Sequence, residues 1–216
     1  KKSFFAFLAI YIAIVIFKSF KVKENKNNQN KNNQNKNNQN KNNQNNNNNK
    51  NYLPDFLELR KVPSMGEGLF AKYKINSGSS IGEYFGNIIN SSDLTNKIKI
   101  YPIVQKYAFN VGKNKNIDVT DNNGNLDKSC YLTKVNEPPK GIMENIIAFK
   151  SISDKIYFVT IKDIMPGEQL YISYGSKYER DYDTNKDMKY PAWILKSIDN
   201  IMKKYPTLLK PNIKFV

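Results

Sequence analysis

Tyrosines, carboxylates, lysines, asparagines and serines carry whatever side-chain chemistry this chain performs, because histidine is absent and cysteine occurs once, at Cys130. The lack of histidine removes the commonest general base and the usual zinc and iron ligand sets. One cysteine excludes disulfides within the chain and Cys-rich zinc clusters. Three short stretches stand out against that inventory: "GEG" at 66–68, "VNEPP" at 135–139 and "SYG" at 173–175. Taken singly they are a turn, an asparagine before a rigid proline pair and a strand end. The last belongs to "GEQLYISYG", in which Pro166-Gly167 makes a turn and Leu170, Ile172 and Tyr174 share one face of a strand. Tyr174 closes that face and Gly175 lets the chain swerve. A phenol so placed either fills a core or is aimed into a cavity.

The elements that must position these residues read as many short strands. "FLELRKV" (56–62) alternates, and "MGEGLFAKYKI" is a glycine-marked turn into a second strand. "SSIGEYFGNII" reads as a third strand, whose Gly82 and Gly86 suggest close backbone approach. "SSDLTNKIKI" has an N-cap candidate at Ser91 or Ser92 and predicts a short helix. "YAFNVGKNKNIDV" and "ENIIAFKSISDKIYFVTI" each predict a hairpin, and "KDIMPGEQLYISY" a closing strand. "YPAWILKSIDNIMKKY" predicts an amphipathic helix with Trp193, Ile194, Ile198, Ile201 and Met202 on its apolar side. The fold class is mostly β with a C-terminal helix.

Charge divides the chain. Of the net +15, residues 1–50 supply +9, and only Arg60 and Arg180 are arginines. A folded part so little biased, with almost no bidentate donors, is not expected to bind nucleic acid sequence-specifically. Residues 26–45 are four copies of "KNNQN", a polar tract that cannot bury enough apolar area to fold. Ahead of it, Ser3 to Phe17 is uncharged and Lys18 ends the run. Residues 1–23 are expected to be a hydrophobic membrane anchor, with a secretory signal as the alternative. Lysines are denser after the run than before it, which puts the bulk of the chain in the cytosol.

Order and spacing of the motifs carry a resemblance. "GEGLFA", "INSGSSIGEYFG", "YAFNV", "NIDVTDNNGN", "VNEPPKGIMEN" and "IKDIMPGEQLYISYGSKY" together resemble the SET-domain protein lysine methyltransferases, from about Asp55 to Tyr178. The resemblance implies a β-clip fold of small curved sheets whose chain end makes a pseudoknot-like passage through an earlier loop. It implies S-adenosyl-L-methionine as cofactor and a protein substrate carrying a target lysine, a histone among the possibilities. By the same resemblance the backbone of Gly66, Glu67 and Gly68 holds the methionine part of the cofactor, and Asn136 binds near its sulfonium or amino group. Tyr174 is then the catalytic tyrosine of the methyl-transfer channel and a cofactor contact. Tyr84, also a cofactor contact, lines the channel with Tyr107 and Phe109. No metal site is implied. The corresponding domains are the anchor or signal at 1–23, a low-complexity linker at 24–51, a SET domain at 52–180 and a helical cap at 181–216.

Several positions depart from the family pattern or have plainer readings. Asn136 is followed by Glu137 where the family has histidine, and Thr133-Lys134 stands in place of Arg-Phe. Glu137 is expected to be a solvated substitute, Asp118 a turn or network residue, Cys130 a small buried apolar group and Trp193 helix-face core. The helix around Trp193–Tyr205 is the candidate to cover the lysine channel. Glu137 and Thr133 motivate an alternative, a catalytically inactive β-clip module that only binds a partner.

Overall fold

The structure, a computed structural model, describes residues 53–175, 178–183 and 190–211. The proposed anchor and the Asn-rich linker lie outside the described residues. Among the described residues no helix is long and apolar enough to cross a membrane.

Among the described residues there are three small antiparallel sheets. Strands β1 (Leu57–Val62) and β2 (Gly66–Ala71) form a hairpin in register from Leu57 opposite Ala71 to Val62 opposite Gly66. Strands β3 (Ser80–Tyr84), β7 (Ile146–Lys150) and β8 (Ile156–Thr160) form a second sheet in the order β3-β8-β7. Strands β4 (Asn87–Ile89), β5 (Phe109–Gly112) and β6 (Lys115–Asp118) form a third in the order β4-β6-β5. Both hairpins predicted from the alternating runs are present as β5-β6 and β7-β8.

Three predicted elements are corrected. "SSIGEYFGNII" is not one strand: it breaks at Phe85–Gly86, and its halves join different sheets. The break brings the Gly86 backbone onto β6, where an added Cβ would stand 2.8 Å from the Asp118 carbonyl carbon and closer still to its oxygen. Close approach, rather than strand continuity, is what that glycine serves. The helix α1 (Ser91–Ile100) is capped by Asn90 rather than by either serine, its Oδ1 accepting the Asp93 N–H at 2.8 Å.

The closing segment departs most from a strand. Residues 167–172 make no ladder but single bridges, Gln169 to Phe70 on one side and Tyr171 to Asn136 on the other. The Leu170 N–H donates to the Leu69 carbonyl at 2.8 Å, and the Ile172 N–H to the Asn136 carbonyl at 3.0 Å. The Tyr171 carbonyl accepts from the N–H groups of Asn145 and Ile146. A segment hydrogen-bonded on both flanks, to β2 and to the 135–146 loop, is inserted between two earlier parts of the chain. Such flanking on both sides is what a pseudoknot-like passage requires. Leu170 and Ile172, at 0% and 4% exposure, face the main core with Leu57, Leu69, Ile81, Val135 and Phe158.

A second core lies on the opposite face of the β3-β8-β7 sheet. Helix α2 (Ala192–Lys204) buries Ile194, Ile198 and Ile201, spaced for one helical stripe, against Ile147, Phe149, Val159 and Ile161. Trp193 is therefore not core: it sits off that stripe and is 42% exposed. Helix α2 does not pack on Tyr84, Phe109 or Tyr174, residues expected to line a channel, either. It packs behind the sheet whose front face carries Tyr84 and Phe158, and its end is tied to the Gly78 carbonyl by Lys204 Nζ and Tyr205 Oη.

Candidate functional site

The inserted segment decides what the site contains. Pairing Tyr171 with Asn136 carries Tyr174 alongside the loop that holds Val135, Asn136 and Glu137. The Tyr174 phenol donates to the Val135 carbonyl at 3.0 Å, and its backbone N–H donates to Glu137 Oε1 at 2.9 Å. The Asn136 Nδ2 donates to the Glu67 carbonyl at 3.2 Å, which joins the same loop to the Gly66–Gly68 stretch of β2. Three motifs separated by up to about a hundred positions thus meet.

Gly68 is the closest point of that meeting. A Cβ there would lie 2.9 Å from Val62 Cγ2 and 3.0 Å from Asn136 Nδ2, with Gln169 Nε2 nearer than either. The two side-chain amides fill the space a larger residue would need. Gly66, at φ +77°, has open space above its Cα, and a shallow cleft runs beside it along Lys61–Ser64 and Glu67. Lys134 reaches the exposed Glu67 carboxylate at 2.9 Å, and that ion pair holds Glu67 below the usual carboxylate range.

Aromatic rings wall the other side of Tyr174. Tyr178 packs on it at a centroid distance of 4.7 Å. Tyr84 stacks on Phe158 at 5.4 Å, meets Phe109 at 5.6 Å, and donates its hydroxyl to the Tyr107 carbonyl at 2.7 Å. The structure therefore brings Tyr84, Phe109 and the Tyr107 backbone into one cluster. Burial raises the phenol pKa values of Tyr84 and Tyr174 well above the ordinary value, so both keep their protons at neutral pH.

Glu137 is not a solvated substitute: its side chain is 6% exposed and paired with an Arg180 side chain that is 2% exposed. Arg180 Nε and Nη2 donate to the two carboxylate oxygens, each at 2.6 Å. Burial alone would raise the Glu137 pKa. The Arg180 hydrogen bonds, the Tyr174 N–H, the Arg180 charge and the Tyr182 hydroxyl outweigh it and lower the value. Sequence reading passed over Arg180; its signal was that one of only two arginines follows the last motif. Gln169 was passed over too, and its Nε2 is buried without a partner among the described residues. Asp118 sits in a network: its Oδ1 accepts from the N–H and hydroxyl of Thr120, and Lys97 pairs with its Oδ2. Cys130 is fully buried, and burial pushes its thiol up to about 11.

A family model, described as the PR domain of PR domain zinc finger protein 2, matches this chain over residues 56–185, a span that holds every element of the site. No individual curated protein matches it. A mostly β fold with an inserted closing segment, and a family match covering more than half of the sequence, place the chain in the PR-domain family, a SET-like branch of the lysine methyltransferases.

Proposed function

We propose that this protein is an S-adenosyl-L-methionine-dependent lysine N-methyltransferase that modifies a lysine on a protein tail, a histone tail being one candidate. The observation that supports this most is the meeting of the Tyr174 phenol, the Asn136 amide and the Gly66–Gly68 backbone through the inserted segment.

The residues present fit the cofactor. Gly66 leaves its backbone open beside a cleft, and Asn136 is half-buried with one amide hydrogen committed to the Glu67 carbonyl. The backbone of Gly66, Glu67 and Gly68 would hold the methionine portion, and Asn136, Tyr84 and Tyr174 would contact the molecule. When bound, the cofactor supplies a methyl group already carried on a sulfonium leaving group.

The chain's own part is to desolvate, orient and hold. A lysine side chain has a pKa of about 10.4, so its neutral form costs about 4–5 kcal/mol at pH 7. Aromatic walls of Tyr84, Tyr107, Phe109, Tyr174 and Tyr178 around a bound lysine would lower the local dielectric and disfavour the ammonium form, the proton leaving to solvent. The Tyr174 hydroxyl gives its hydrogen to Val135, so its oxygen lone pairs remain to accept from the amine. A neutral phenol fixed in this way acts by orientation rather than as a base.

Incubating the full chain with methyl-labelled S-adenosylmethionine and histones or cell lysate tests the reading. Label is expected on lysine, with at least a tenfold loss in Tyr174→Phe. No transfer by the parent protein, or equal transfer by Tyr174→Phe, contradicts it and favours a binding module.

A further inference from the structure

Tyr174 is followed by Gly175, and beyond it, among the described residues, the Arg180 and Tyr182 side chains reach back to the loop at 135–137. What they turn back to is one carboxylate. Glu137 Oε1 accepts from Arg180 Nη2 at 2.6 Å and from the Tyr174 N–H at 2.9 Å. Glu137 Oε2 accepts from Arg180 Nε at 2.6 Å and from the Tyr182 hydroxyl at 3.1 Å. Each oxygen has two donors, so the acceptor capacity of the group is filled. The guanidinium reaches further still: Nη1 donates to the Tyr178 carbonyl at 2.6 Å and Nη2 to the Gly175 carbonyl at 2.7 Å. Its plane also lies over the Tyr178 ring, 5.3 Å from the centroid.

We propose that Glu137 and Arg180 are a positioning pair that fixes Tyr174 by holding its backbone from both sides. Glu137 binds the Tyr174 N–H, and Arg180 binds the carbonyl of the very next residue. Between them they hold the peptide units flanking the point where the chain swerves. The same guanidinium fixes the Tyr178 backbone, whose ring packs against the Tyr174 phenol. Its planar fork suits this task as a lysine ammonium does not, because several acceptors are met in one rigid geometry. A buried pair is a weak source of net stability, and the role of this one is to fix the groups it joins. The catalytic side of this inference rests on the methyl-transfer reading of Tyr174; the backbone side does not.

Hydrogen–deuterium exchange at the Tyr174 amide reads the backbone side directly in the full-length protein. Arg180→Gln is expected to speed exchange there at least tenfold, with exchange at Phe158 in the β3-β8-β7 sheet unchanged within twofold. If Arg180→Gln does not fold, Arg180→Lys is used, with at least a threefold rise expected because the charge stays and the fork is lost. Tyr174 exchange within twofold of the parent in the folded variant overturns the proposal, as does an equal rise at Phe158, which marks general destabilisation. Steady-state transfer reads the catalytic side: kcat is expected to fall at least tenfold with the KM for S-adenosylmethionine within twofold. A change in KM alone overturns positioning. A parent protein without transfer activity defeats the methyl-transfer reading, while the exchange result still decides the pair.

Discussion

Replacing Gly68 by alanine puts one methyl group where three parts of the site converge. The new Cβ would stand 2.9 Å from Val62 Cγ2 and 3.0 Å from Asn136 Nδ2, with Gln169 Nε2 closer. The last contact falls roughly 1 Å inside van der Waals distance, so the Gln169 amide must move. Its room is small: Gln169 is 8% exposed, and its Oε1 accepts from the Tyr171 hydroxyl at 2.8 Å. Overpacking of this kind costs about 1–3 kcal/mol, and loss of the Tyr171 bond adds about 1 kcal/mol. The sum, about 2–4 kcal/mol, is a large part of a typical domain stability and lowers Tm by roughly 4–16 °C. Thermal and urea denaturation of the full chain measure it. Gln169→Ala in the same chain opens the space the methyl needs, so the double variant is expected to recover about 1–2 kcal/mol relative to additivity. A Gly68→Ala protein that melts within 2 °C of the parent, or strict additivity in the cycle, would refute the packing argument.

Two further outcomes follow from other parts of the molecule. Ile198→Ala, at a position 1% exposed in the core behind the β3-β8-β7 sheet, should cost about 2–5 kcal/mol, read by urea denaturation. Because α2 packs away from Tyr174, the affinity for S-adenosylhomocysteine in the remaining folded protein should not change. For pH, the folded Glu137 pKa lies below its ordinary value of 4.5. The group facing it are Arg180, Tyr182, the Tyr174 N–H and Tyr178. A lowered folded value means the stabilisation is fully present above the unfolded pKa and is lost as pH falls through the folded one. Acid titration of Tm should therefore show a loss below about pH 4.5 that is reduced in Glu137→Gln.

The short strands and hairpins were legible because alternation survives in a single sequence, as in Phe56–Val62 and the β7-β8 pair. The break at Gly86 was not, since nothing local tells a glycine within a strand from one where the chain leaves a sheet. The meeting of Asn136 with Tyr174 was reached through motif order; periodicity cannot reveal that a later segment inserts beside an earlier loop. Glu137 was misread for the same reason. A carboxylate beside two prolines looks solvated until its partner, Arg180, arrives from 43 positions downstream. Trp193 was misplaced by one step around the helix, a shift that turns an apolar residue outward while Ile194, Ile198 and Ile201 keep the stripe.

The central claim is that Gly66–Gly68, Asn136 and Tyr174 form one binding site for a sulfur-bearing nucleoside. Calorimetric titration of the full-length protein with S-adenosylhomocysteine tests it most directly. Saturable one-to-one binding is expected in the micromolar range, weakened at least tenfold by Asn136→Ala and unchanged by Trp193→Ala on the exposed side of α2. No heat of binding at millimolar ligand, or equal affinity in the parent protein and Asn136→Ala, would contradict it.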